Sequence, residues 1–110
     1  MKIEFLYFEH CANYRQALFL LERILLEEGI ESPVKMIRVE SDELAEEIMF
    51  PGSPTIRING KDIDFTDIGS RDGYEKKCRV YVDADVLTGI PPEWKIRNAI
   101  LEAKKKSTIV

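Results

Sequence analysis

Two thiols, those of Cys11 and Cys78, carry most of the reactive chemistry available to this 110-residue chain. Cys11 sits in a short polar link, Glu9-His10-Cys11-Ala12, between an apolar run and a segment of helical periodicity. At such a corner the unpaired amide N–H groups and the helix dipole favour a thiolate, so Cys11 is expected to be an exposed nucleophile, the alternative being a small buried hydrophobe. The single histidine, His10, either supplies positive charge and a proton to that thiol or stands on the loop surface. Tyr14 occupies the place where a dithiol motif would have its second cysteine; its ring either packs on the neighbouring strand or turns its hydroxyl to the thiol. Cys78 lies far along the chain. If it approaches Cys11, the pair forms a disulfide or a two-coordinate clamp for a soft metal, which needs Cα atoms roughly 4.4–6.8 Å apart; otherwise it fills the core.

The elements that must position these groups follow from periodicity. Ile3, Phe5, Leu6, Tyr7 and Phe8 read as a central strand covered on both faces. Tyr14, Ala17, Leu18, Leu21, Ile24 and Leu25 form one helical stripe, which Gly29 ends as a left-handed cap. Val34 to Val39 is a second strand, parallel to the first because a helix long enough for a crossover separates them. Ser41-Asp42-Glu43 caps a short helix through Met49. Pro54 to Asn59 and Lys61 to Phe65 are antiparallel strands joined by Asn59-Gly60, the strongest two-residue hairpin signal. Thr66 to Lys77 reads as a mobile loop and Cys78 to Val82 as a short extra strand. Pro91-Pro92-Glu93 opens a last helix with Trp94, Ile96, Ile100 and Ala103 on its apolar face. The fold class expected is α/β, in one domain over residues 1–110.

Gly52-Ser53-Pro54-Thr55 leads into the hairpin, and the pattern alone expects an ordinary trans turn there. A cis Ser53–Pro54 bond would instead turn free backbone groups toward a bound thiol compound, which makes Ser53, Pro54 and Thr55 the substrate-binding candidates.

A net charge of -4 and a pI near 5.1 offer a nucleic-acid backbone little attraction. The basic run Lys104-Lys105-Lys106 closes the last helix, where cations complement the dipole. No stretch approaches the roughly 20 apolar residues of a membrane span, and Glu4 interrupts the start where a signal peptide would stay apolar, so a cytoplasmic location and no membrane partner are expected. Two cysteines are too few for a secreted disulfide scaffold. No cofactor is expected, and no metal ligands have the spacing of a structural zinc site.

Over nearly its whole length, through Cys11-Ala12-Asn13-Tyr14 and Ser53-Pro54-Thr55 before the hairpin, the chain resembles the thioredoxin superfamily. The resemblance implies a thioredoxin-like three-layer α/β/α sandwich on a mixed four- or five-stranded sheet. It also implies Cys11 as the attacking thiol and a cis Pro54 beside it. Phe8-Glu9-His10-Cys11-Ala12-Asn13-Tyr14, Gly52 to Gly60 and Cys78-Arg79-Val80-Tyr81 look like a family of small thioredoxin-like proteins, some with selenocysteine at the position of Cys11. Tyr14 stands where the usual resolving cysteine would be, which leaves an outside thiol or Cys78 to resolve a mixed disulfide. The arrangement is also similar to the thioredoxin-like part of organomercurial lyases, whose acid three residues after the first cysteine is here Tyr14. The leading expectation is a thiol-dependent oxidoreductase that acts on a thiol or disulfide compound or protein. Its rivals are a soft-metal or organomercurial binder using Cys11 and Cys78, and an interaction module without redox chemistry.

Overall fold

The computed structural model of the chain describes residues 1–64 and 73–108. Strand β1 (Ile3–Tyr7) is followed by helix α1 (Tyr14–Glu27), strand β2 (Val34–Arg38), helix α2 (Asp42–Glu47), strands β3 (Thr55–Ile58) and β4 (Lys61–Asp62), the pair β5 (Tyr81–Asp83) and β6 (Val86–Thr88), and helix α3 (Glu93–Thr108). The main sheet has the order β2-β1-β3-β4. β1 pairs in parallel with β2, Ile3 opposite Val34, and antiparallel with β3, Ile3 opposite Ile58. The chain is therefore mixed α/β with a four-stranded mixed sheet, and the parallel β1–β2 pair expected from the helical crossover is present.

β1 explains why its sequence is apolar almost throughout. Ile3 and Phe5 enter a cluster with Ala17, Leu21, Ile24, Ile56, Ile96 and Ile100, which packs α1 and α3 against the sheet. Leu6, of the opposite parity in the strand, enters a second cluster with Val39, Ala45 and Phe50 around α2. Both faces of the central strand are thus buried. At the α3 end of the first cluster, Arg97 pairs with Glu27, Glu28 and Glu93, joining the helices at the rim. Trp94 departs from the expected apolar face: it is 52% exposed, and its indole N–H donates to Asp83 Oδ1 at 3.0 Å, because it faces the β5–β6 hairpin rather than the core.

Helix ends follow their chemistry. Gly29 (φ +69°) closes α1 with the Gly29 N–H on Leu26 O and the Ile30 N–H on Leu25 O, the paired bonds of a Schellman cap. Ser41 Oγ accepts from the Leu44 N–H at 3.0 Å and caps α2. The same C-terminal device ends α2, with the Phe50 N–H on Ala45 O, but its left-handed position is filled by Met49 at φ 54°. Met49 is exposed and a side chain is disfavoured at that φ, so Met49→Gly is expected to raise stability by about 0.5–1 kcal/mol in urea denaturation. An unchanged or lower midpoint would contradict this account of the cap.

Asn59 (φ 54°) and Gly60 (φ 82°) make the two-residue turn between β3 and β4, as the Asn-Gly pair predicts. β4 is shorter than expected, ending at Asp62, and Phe65 lies outside the described residues. So does Thr66 to Asp72 of the expected loop, while its remainder is held, with the Lys76 N–H donating to Asp42 Oδ1 at 2.9 Å. The extra strand expected over Cys78 to Val82 is not part of the main sheet. Residues Tyr81–Asp83 pair instead with β6 in a separate two-stranded sheet. No helix among the described residues is long and apolar enough to cross a membrane.

Candidate functional site

The two thiols meet. Cys11 and Cys78 form a disulfide with Cα atoms 5.7 Å apart, inside the range such a bond requires. Of the two readings of Cys78, approach to Cys11 is the one realised.

The corner that carries Cys11 differs from the expected one. α1 begins at Tyr14, and Asn13, its N-cap residue, makes no side-chain cap, so Cys11 stands three residues ahead of the first helical residue. Its own N–H donates to Phe8 O at 3.0 Å. Its side chain is fully buried, and its Sγ lies 3.5 Å from the carbonyl oxygen of Ser53. The expectation of an exposed thiolate facing amide hydrogens is therefore corrected. A carbonyl oxygen, rather than a set of amide hydrogens, faces this sulfur, and it would accept from an S–H once the bond is reduced. The exposed member of the pair is Cys78.

The neighbours expected to assist Cys11 have other partners. His10 is exposed and its ring meets Phe8 edge-on, centroids 5.4 Å apart. Tyr14 takes the packing option: its ring stacks on Tyr7 at 4.7 Å, and its hydroxyl accepts from Arg15 Nε at 3.2 Å.

Ser53–Pro54 is a cis peptide, the geometry the resemblance implied and the pattern alone did not. Ser53 and Thr55 are fully buried. The backbone groups of Ser53 and Pro54 bond to the chain itself, which corrects the expectation of free backbone groups. The Ser53 N–H donates to Lys77 O at 2.7 Å, and Ser53 O accepts from the Arg79 N–H at 2.9 Å, which makes a parallel bridge with Cys78. Pro54 O accepts from the Tyr81 hydroxyl, and the Thr55 hydroxyl donates to Gly52 O. The segment Lys77–Arg79 thus occupies the inner edge of this loop. The approach is close enough to require glycine at 52: its φ is +137°, and a Cβ there would lie 2.8 Å from Arg79 Cβ.

Arg79 fixes that segment. Its guanidinium, 8% exposed, donates to Asp62 Oδ2 at 2.8 Å, to Thr55 Oγ1 at 3.1 Å and to Asp64 O, and lies 4.8 Å from the centre of the Tyr81 ring. Burial opposes its charge, but Tyr81, Asp62 and Asp64 outweigh this and hold its pKa above the ordinary value. Lys95 Nζ completes the cluster on Asp64 Oδ1 at 2.5 Å. Sequence reasoning quoted Arg79 and Tyr81 only within a stretch of resemblance, and gave no role to them or to Asp62 and Asp64. The available signal was the alternation Arg79-Val80-Tyr81, which puts a cation and an aromatic ring on one strand face, with the acids of the preceding hairpin to receive them.

Burial pushes the Tyr81 phenol well above its ordinary value of 10.0, with the Arg79 charge acting against that shift. An acid whose folded pKa is raised keeps its stability contribution below the unfolded pKa and loses it as pH climbs beyond. Wild-type stability is therefore expected to decline above about pH 10 through Tyr81, and the Tyr81→Phe variant, less stable at neutral pH, to show a shallower alkaline decline. Parallel alkaline slopes for the two proteins would refute this assignment.

Among the described residues, no group of three or more His, Cys, Asp or Glu side chains converges as a metal site. Comparison with family models, curated proteins and solved structures finds no match to this chain.

Proposed function

We propose that this chain is a thiol–disulfide exchange protein built on a thioredoxin-like three-layer sandwich, with Cys11 and Cys78 as its redox pair. The fold reading draws support from the parallel β1–β2 unit, the order β2-β1-β3-β4 and the cis proline ahead of β3. The observation that carries the functional reading is the pairing itself. Two cysteines far apart in sequence close a disulfide against a buried loop, and the chain offers no other thiol. One face of the pair is open through Cys78, so an outside thiol has a route to the bond.

The test is equilibration in glutathione buffers of graded ratio, followed by quantitative alkylation. Wild-type protein is expected to pass between no free thiol and two, with Cys11→Ser and Cys78→Ser each abolishing the two-thiol step. A pair that neither opens nor closes across that range would end the reading. Stoichiometric retention of copper(I) by the reduced protein without exchange would favour the soft-metal clamp instead.

A further inference from the structure

Ser53 Oγ is buried and has no hydrogen-bond partner among the described residues. A serine hydroxyl left unpaired in the interior is costly, and such groups are uncommon enough that each asks for a state in which it is satisfied. It belongs to the residue whose carbonyl oxygen lies 3.5 Å from Cys11 Sγ, and a hydroxyl turns about a single bond. In the disulfide, Cys11 Sγ carries no charge and is a weak acceptor. Once the bond opens, that sulfur departs with an electron pair and becomes a strong one.

We propose that an outside thiolate attacks Cys78 rather than Cys11, and that Ser53 stabilises Cys11 as the leaving sulfur. The proposal rests on reading the pair as an exchanging one. Attack forms a bond from the incoming sulfur to Cys78 Sγ and breaks the Cys11–Cys78 bond, whose electron pair goes to Cys11. The Cys11 thiolate accepts from the Ser53 hydroxyl, and after taking a proton from solvent it donates its S–H to Ser53 O. A second outside thiolate then attacks the external sulfur of the mixed disulfide and releases Cys78 as thiolate. The protein gains two electrons, and two thiols become one disulfide. Lys77–Arg79 holds Cys78 beside Ser53 through both steps, because its backbone bonds and the Arg79 cluster do not involve sulfur.

This assignment inverts the roles expected from sequence, where Cys11 was the attacking thiol and Cys78 the resolving one. Burial decides it: Cys11 is fully enclosed and Cys78 is exposed.

The experiment has two arms on the full chain. Cys11→Ser and Cys78→Ser are mixed with glutathione disulfide, and the mixed disulfide is followed by mass spectrometry. The thiol of Cys78 in Cys11→Ser is expected to trap glutathione at least tenfold faster than the thiol of Cys11 in Cys78→Ser. Equal or reversed rates overturn the polarity. In the second arm, Ser53→Ala is compared with wild type for reduction by glutathione and, after reduction, for the thiolate absorbance of Cys11 in the Cys78→Ser background. Reduction about tenfold slower, with the disulfide form more favoured and the Cys11 titration moved to higher pH, is the expected result. A twofold change or less in all three overturns the role of Ser53. If wild type itself does not exchange, the exchange reading fails and this inference, which rests on it, fails with it, whatever Cys11→Ser traps. Failure of the trapping order in a wild type that does exchange condemns only this inference.

Discussion

Reducing the Cys11–Cys78 disulfide is expected to lower stability by about 4 kcal/mol. The two cysteines are 67 residues apart, and a cross-link of that span removes a large part of the chain's freedom when it unfolds; the loop-entropy relation gives about 4 kcal/mol at that length. The folded side of the balance changes little, because Lys77 to Arg79 remain tied to Ser53 by backbone bonds and to β4 by the guanidinium. Urea denaturation with and without excess reductant checks this. A fall in midpoint accompanied by a steeper denaturant slope is expected, since the reduced chain unfolds to a more expanded state. A loss under about 1 kcal/mol would mean that the unfolded chain is already compact around the pair.

Arg79→Ala is expected to cost about 3–5 kcal/mol, the effect of removing one partner of a buried ion pair. Asp62, 13% exposed, would keep its charge without its cation, and Asp64 O would lose its donor. The Thr55 hydroxyl would survive better, since it still donates to Gly52 O. Arg79→Lys restores the charge without the fork that reaches three acceptors, so recovery of about half is expected. Denaturation of the oxidised proteins measures both variants. A cost below about 1 kcal/mol for Arg79→Ala would show that the cluster is relaxed by water rather than held by the guanidinium. The same variant loosens the segment that presents Cys78, so its disulfide should also yield to glutathione at a lower thiol concentration than the wild type.

Much of this architecture was legible in the sequence where one local rule governs one element. The apolar run of β1, the Gly29 cap, the Ser41 cap and the Asn59-Gly60 turn each obey backbone or burial physics that a few neighbouring residues determine. The β5–β6 hairpin was not legible, because its turn places Ala84 (φ 49°) and Asp85 (φ 68°) in left-handed conformations where the rules look for Gly or Asn. Met49 hid the end of α2 in the same way. At the site, Cys11, Cys78 and Ser53 were named from sequence, with their pairing as one of two readings, but the choice between those readings and the exposure of each thiol were not legible. Those depend on how the Lys77–Arg79 segment returns across the loop, a contact between residues 24 or more apart that no local pattern encodes. The helix-start argument for Cys11 failed for a similarly concrete reason: α1 starts three residues too late to place its amides at the sulfur.

The sulfur bridge also divides the molecule mechanically. Pulled by its two ends while oxidised, the chain carries tension through residues 1–11, the bridge and residues 78–110, and everything between is slack. β1 belongs to the loaded part, yet it lies between β2 and β3, which both belong to the slack part. Cutting the bridge under tension would release roughly 220–240 Å of hidden length in a single step, at about 3.3–3.6 Å per residue. Reductant thus governs how far the protein can be stretched.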